Sequence, residues 1–180
     1  MQLTLVATCA DVPRRPESTP AGVRVVPAVP DLAPALGLLG WRAYGAEVLE
    51  VDGPDDVAQE MADAFTGSCG PLAPDASPVA LDAATGLPVA AVLTVSAAPW
   101  PDVAGMPFLI DVMTDPEWRR RGLARYLVTT AVAALAGTGA GRVGLRVDSG
   151  SVAVWLYTQL GFQRWNAGSA ELEPATSPHT

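Results

Sequence analysis

The stretch FLIDVMTDPEWRRRGLARYLVTTAVAALA, residues 108–136, decides how the chain is read. Phe108 to Thr114 reads as a strand, and Asp115-Pro116 ends it, since proline has no N–H to give a ladder. Apolar residues then recur at helical spacing (Leu123, Tyr126, Leu127, Ala131, Ala134, Leu135), so a helix follows Gly122. Between the two lies Arg119-Arg120-Arg121-Gly122. A helix N-terminus leaves backbone N–H groups unpaired and carries a partial positive charge, a combination that binds phosphate. Gly122 lets a ligand approach the backbone, Ala124 keeps the first turn slim, and arginine adds charge directly. The segment suits a pyrophosphate; the alternative is a helix that starts after a basic turn of solvated arginines. It is neither the G-x-G-x-x-G dinucleotide fingerprint nor a P-loop, which needs a lysine that this chain lacks.

Upstream, Gln2 to Thr8 alternates like a short strand, a Pro-rich connector follows, and Val23 to Val26 is a second strand candidate. Asp31 is placed to cap a helix bearing Leu32, Leu36, Leu39 and Ala43 on one face. Asp56 with Gln59 resembles a capping box for a helix whose inner side is Val57, Met61, Ala64 and Phe65. Gly67 to Pro78 reads as loop. Val79 to Leu81 and Pro88 to Val95 form an expected hairpin about a turn at Asp82 to Gly86, and Ala97 to Met106 is another loop. Downstream come a strand from Val143 to Val147, a helix from Ser151 to Leu160 closed by Gly161, and a last strand from Phe162 to Trp165. This order predicts one α/β (α+β) layer domain over residues 23–170. Residues 1–22 form an N-terminal strand and connector that adds to the sheet or covers a partner subunit, and 171–180 form a disordered tail.

The 180 residues are about half hydrophobic, enough for one buried core. Net charge is −8 and every basic residue is arginine, a composition typical of high-GC bacteria. The acidic balance disfavours nucleic-acid binding and is compatible with a cationic substrate. Cys9 and Cys69 read as buried small hydrophobes rather than a disulfide or metal pair. Neither a signal peptide nor a membrane span is evident, so a soluble cytoplasmic protein is expected. The single histidine, His179, sits in the tail, which argues against a Ser–His–Asp set or a histidine metal site.

Arg119-x-x-Gly122-x-Ala124, following a strand and Asp115-Pro116, resembles the coenzyme A-binding motif of the GCN5-related N-acetyltransferase (GNAT) superfamily. Leu145-Arg-Val-Asp, Ser151 and Leu156-Tyr157-Thr-Gln-Leu-Gly161-Phe162 resemble that superfamily's last strand–helix motif. The resemblance covers Phe108 to Trp165. It implies a mixed, mostly antiparallel central sheet flanked by helices, opened between the 108–114 and 143–147 strands to admit pantetheine. It implies acetyl-coenzyme A as cofactor, an amine acceptor (a small molecule before a protein) attacking the thioester directly, no metal, and a possible homodimer.

The same resemblance implies residue roles. The backbone groups of Val112, Met113 and Thr114 would pair with the pantetheine arm and hold the thioester oxygen. Arg120, Arg121, Gly122, Leu123, Ala124 and Arg125 would wrap the pyrophosphate through their N–H groups, with Arg119 at the motif's first position. Ser151 stands where many members contact the cofactor with asparagine; its other role is a helix cap. Tyr157 matches the tyrosine that protonates the departing thiolate, with core packing as the alternative. Arg146 occupies a position where some members carry an acidic base. The remaining base candidates are Asp111, Glu47 and Glu50. Asp111 sits in an apolar strand, so it either faces a cleft, where burial raises its pKa, or lies at a solvated edge. Trp41, Tyr44, Trp100 and Trp118 either line an acceptor pocket or pack. Two rivals remain: a longer acyl donor, and a non-catalytic module that binds coenzyme A as a sensor.

Overall fold

A computed structural model describes residues 1–45, 49 and 51–173. Glu47, Glu50 and the segment with His179 lie outside the described residues. In chain order the elements are β1 (Gln2–Thr8), β2 (Val23–Pro27), α1 (Ala33–Tyr44), α2 (Pro54–Phe65), β3 (Pro78–Asp82), β4 (Pro88–Val95), β5 (Phe108–Thr114), α3 (Leu123–Gly137), β6 (Arg142–Asp148), α4 (Ala153–Gln159), β7 (Gln163–Asn166) and β8 (Glu171–Glu173). The strands form one mixed sheet in the order β2-β3-β4-β5-β6-β1-β7-β8. Every pairing is antiparallel except β5 with β6. β1 therefore lies inside the sheet, and pairing continues to Glu173, three residues beyond the boundary expected at 170.

Helices cover both faces. α3 and α4 pack through Leu127, Val128, Leu135 and Val154, with Leu160 just after α4, onto Leu5, Val92 and Leu145. On the other face, α1 and α2 pack through Leu36, Leu39, Val57 and Met61 onto Val79, Leu93 and Met113. β4 is buried along its whole length, as a central strand covered on both sides must be.

Two expected helix caps are not formed. A 3-10 turn at Pro30–Leu32 leads into α1, and no side chain caps that helix; Asp31 is not used. α2 starts at Pro54, whose fixed φ suits a first helical position, so the helix begins before Asp56. Asp56 accepts instead from the Asp52 N–H, and Gln59 donates to Asp63. Cys9 is buried as expected, whereas Cys69 is partly exposed. Among the described residues no helix is long and apolar enough to cross a membrane.

Two irregularities shape the centre of the sheet. β5 carries one extra residue opposite Leu93/Thr94, because Leu93 pairs with Asp111 and Thr94 with Leu109; Ile110 is the bulge. β5 and β6 pair only at Phe108–Gly144 and Leu109–Leu145, then part. Gly144 makes their close approach possible: a Cβ there would stand 2.7 Å from the Phe108 ring.

Candidate active site

Beyond Leu109 and Leu145 the parted strands enclose a cavity of about 400 Å³, lined among others by Tyr44, Asp111, Val112, Arg146, Ser151 and Tyr157. The sheet opens where expected, between β5 and β6. The bulge decides which acid enters it. Strict alternation from Leu109, which packs in the α3 core, would turn Asp111 to that same face. The extra residue reverses the phase: Asp111 stands opposite Leu93, whose side chain lies in the α1 core. Asp111 accordingly meets α1, where the Tyr44 hydroxyl donates to Asp111 Oδ1 at 3.2 Å and to the Val112 carbonyl at 3.2 Å.

Burial raises the Asp111 pKa to about 6, the Tyr44 hydrogen bond opposes that rise, and the nearby charge of Glu60 on α2 adds to it. Tyr157 arrives from the opposite side, on α4, packed edge-on against Phe162 at 5.8 Å. Burial, and then the charge of Asp111, push its phenol well above the ordinary value. A carboxylate that titrates near neutrality and a phenol that stays protonated thus face one gap from opposite faces of the sheet.

The backbone of β5 alternates with the side chains. Asp115 N donates to Val89 O on β4, so Asp115 and Met113 turn their peptide groups toward β4, while Thr114 and Val112 turn theirs toward the gap. Of the three residues expected to pair with pantetheine, Val112 and Thr114 turn their peptide groups to the gap, their carbonyls accepting from Tyr44 and Arg119; Met113 pairs with Ala91, and its side chain is core.

After β5 the chain makes a 3-10 turn, Pro116–Trp118, capped by Asp115, whose Oδ1 accepts from Glu117 N at 3.0 Å. Arg120 and Gly122 then adopt positive φ, 64° and 79°. This left-handed backbone, at Gly122 free of a Cβ penalty, turns successive N–H groups outward into a concave nest at the α3 N-terminus. Among the described residues, the N–H groups of Arg120 to Arg125 have no hydrogen-bond partner. These orphan donors fit a diphosphate. The side chains divide differently than expected. Arg119 donates to Ala43 O at 2.7 Å and Thr114 O at 3.4 Å, so it ties α1 to β5. Arg121 donates to Glu117 O and lies over Trp118 at 4.5 Å. Leu123 is core. Arg120 is left exposed beside the nest, with Arg125 partly so.

Ser151 lines the cavity, and its Oγ accepts from Ala153 N at 3.2 Å, a turn bond one residue before the helix cap. Arg146 projects to the α1 face, where its Nη2 contacts both Asp102 oxygens at 2.8 and 3.0 Å and its guanidinium lies 4.8 Å from the Trp100 ring. Trp100 therefore supports this ion pair, Trp118 lies under Arg121 in the loop before α3, and Trp41 packs in the α1 core. The Asp102 partner carried no signal in the sequence, since it sits in a short 3-10 turn, Pro101–Val103, 44 residues from Arg146.

Comparison with known proteins agrees with this fold. The family model of the Acetyltransferase (GNAT) family matches residues 74–162. A GCN5-related N-acetyltransferase from Sphaerobacter thermophilus superposes with TM-score 0.67 at 20% identity, over 91% of this chain and 48% of that one. A protein from Pyrococcus horikoshii OT3 gives TM-score 0.65 at 17% identity over 80% of this chain and 90% of its own. A tandem GNAT protein of the clavulanic acid biosynthesis pathway gives 0.62 at 14% over 91% and 50%. The chain spans about half the length of the first and third of these. No curated protein matches by sequence. The chain therefore matches the GCN5-related N-acetyltransferase family model over residues 74–162 and has the fold of that family.

Proposed function

We propose that the chain transfers an acetyl group from acetyl-coenzyme A to a small amine by direct attack of the amine on the thioester. The observation that carries this reading is the gap between β5 and β6, with Asp111 on one side and Tyr157 on the other. Acetyl-coenzyme A supplies the activated acyl group. The N–H groups of Arg120 to Arg125 hold the diphosphate, and Val112 and Thr114 offer their peptide edges to pantetheine. The Val112 N–H, aimed into the gap, donates to the thioester oxygen as negative charge develops there. Asp111, ionised above about pH 6, accepts the proton that the amine sheds, and Tyr157 gives its phenolic proton to the departing sulfur. Acidic groups at Asp111, Asp148 and Glu60 around the acceptor side favour a cationic amine over an anionic acceptor.

Calorimetry with acetyl-coenzyme A and a thiol-release assay over an amine panel test the reading. Binding and turnover are expected, with Tyr157→Phe lowering kcat by about 100-fold while cofactor affinity stays within about twofold. Absence of binding overturns the site. Tight binding with no turnover on any amine overturns the catalytic reading and leaves a binding module; faster turnover with a longer acyl donor overturns the choice of acetyl.

A further inference from the structure

The last turn of α1 presents three consecutive residues to β5 and the loop that follows it. Arg42 Nε meets Asp115 Oδ2 at 2.7 Å, the Ala43 carbonyl accepts from Arg119 at 2.7 Å, and Tyr44 reaches Asp111 and Val112. The first two bonds have ordinary explanations, an ion pair and an orphan helix carbonyl satisfied by a cation. The third does not. A phenol has one hydrogen, and here two acceptors stand at 3.2 Å, longer than a settled O–H···O bond. One acceptor is the carboxylate read as the base; the other is the carbonyl of the residue whose N–H faces the thioester.

We propose that Tyr44 is a positioning residue for the acetyl transfer: its hydroxyl holds Asp111 toward the gap while that group is charged, and gives its hydrogen to the Val112 carbonyl once Asp111 has taken the amine's proton. The inference rests on Asp111 being the base. A charged carboxylate is the stronger acceptor and draws the hydrogen; a neutral carboxyl competes poorly, and the carbonyl receives it. The new carboxyl O–H of Asp111 then donates to the Tyr44 oxygen, so each protonation state keeps the pair hydrogen-bonded and proton transfer strands no donor. The phenol itself stays protonated, since burial and then Asp111 push it upward. The other charged or titratable groups facing Asp111 are Glu60 from α2, Tyr157 from α4, and Arg146 with Asp148 from β6.

The test follows Asp111 directly, by carboxyl NMR titration of the full chain without cofactor or amine. Tyr44→Phe removes the bond to the charged form, so the midpoint moves up from about 6 by about one pH unit. The acid limb of kcat/KM moves with it, and kcat falls by about tenfold while KM for acetyl-coenzyme A is unchanged. Should Tyr44→Phe fail to fold, 3-fluorotyrosine placed at position 44, a stronger donor of nearly the same shape, moves the midpoint down instead. An unmoved midpoint, or a loss confined to KM for acetyl-coenzyme A, overturns the proposal. A midpoint that moves in a protein that acetylates no amine upholds the hold on Asp111 and removes the reaction.

Discussion

Asp111 is held in its ionised form against the preference of its surroundings. Its pKa of about 6 in the fold lies above the ordinary 3.8, so the folded chain binds a proton at this carboxyl more tightly than the unfolded chain does. By linkage the penalty is absent below about pH 4, grows between about pH 4 and 6, and is complete above that. Replacing the acid with its neutral isostere removes the penalty where it exists. Asp111→Asn is expected to stabilise the protein by about 1–3 kcal/mol at pH 8, a rise of a few degrees in Tm, and to leave Tm unchanged at pH 4, while abolishing turnover. Thermal melts at the two pH values check it; an equal effect at both would mean that packing rather than charge changed. The identity of this residue was legible in the sequence as an acid in an apolar strand, but its orientation was not. Alternation alone sends it to the α3 face, and only the bulge at Ile110, set by pairing with β4, turns it to α1.

The elements divide in the same way between local and long-range information. The turn from Asp115 to Ala124 was readable because each part of it is encoded by neighbouring residues: proline stops the strand, Gly122 permits the left-handed backbone, and the apolar spacing starts α3. Tyr44 was named only as a possible pocket residue, because its contact with Asp111 joins positions 67 apart. What brings it there is the packing of α1 on α2. Gly37 sits at that interface, where an added Cβ would lie 2.5 Å from the Ala58 backbone. In an open helix, glycine to alanine gains about 1 kcal/mol; at this contact the overlap reverses the sign, because backbone cannot yield as a side chain does. Gly37→Ala is therefore expected to destabilise by about 1–3 kcal/mol, read by thermal melting, and to lower kcat by displacing the turn that carries Tyr44. A stabilised variant would show that the two helices are free to separate.

Charge is distributed unevenly over the whole molecule. The chain carries net −8 with eleven arginines and no lysine. Six of them, Arg14, Arg15, Arg119, Arg120, Arg121 and Arg125, belong to the loop before α3, the first turn of α3 and the connector after β1. That connector lies against the same corner: Arg15 stands 5.6 Å from the Tyr126 ring, Thr19 meets the Tyr126 hydroxyl at 3.3 Å, and Gly22 lies beside Trp118. Among the described residues none of the six is ion-paired with a carboxylate, whereas Arg42 and Arg146 are. The gap between β5 and β6 is instead lined by Asp111 and Asp148, with Arg146 there paired to Asp102. Under the proposed reaction, a polyanionic donor meets the basic corner and a cationic acceptor the acidic gap, and both encounters gain from this separation. The consequence is a salt dependence particular to the cofactor. Raising NaCl from about 50 to about 500 mM shortens the screening length from roughly 14 to roughly 4 Å and should weaken coenzyme A binding by about tenfold, read by calorimetry. Arg14→Gln with Arg15→Gln should flatten that dependence without altering the fold, since both side chains are exposed. A dissociation constant indifferent to salt would place the whole grip in the backbone N–H groups around Gly122.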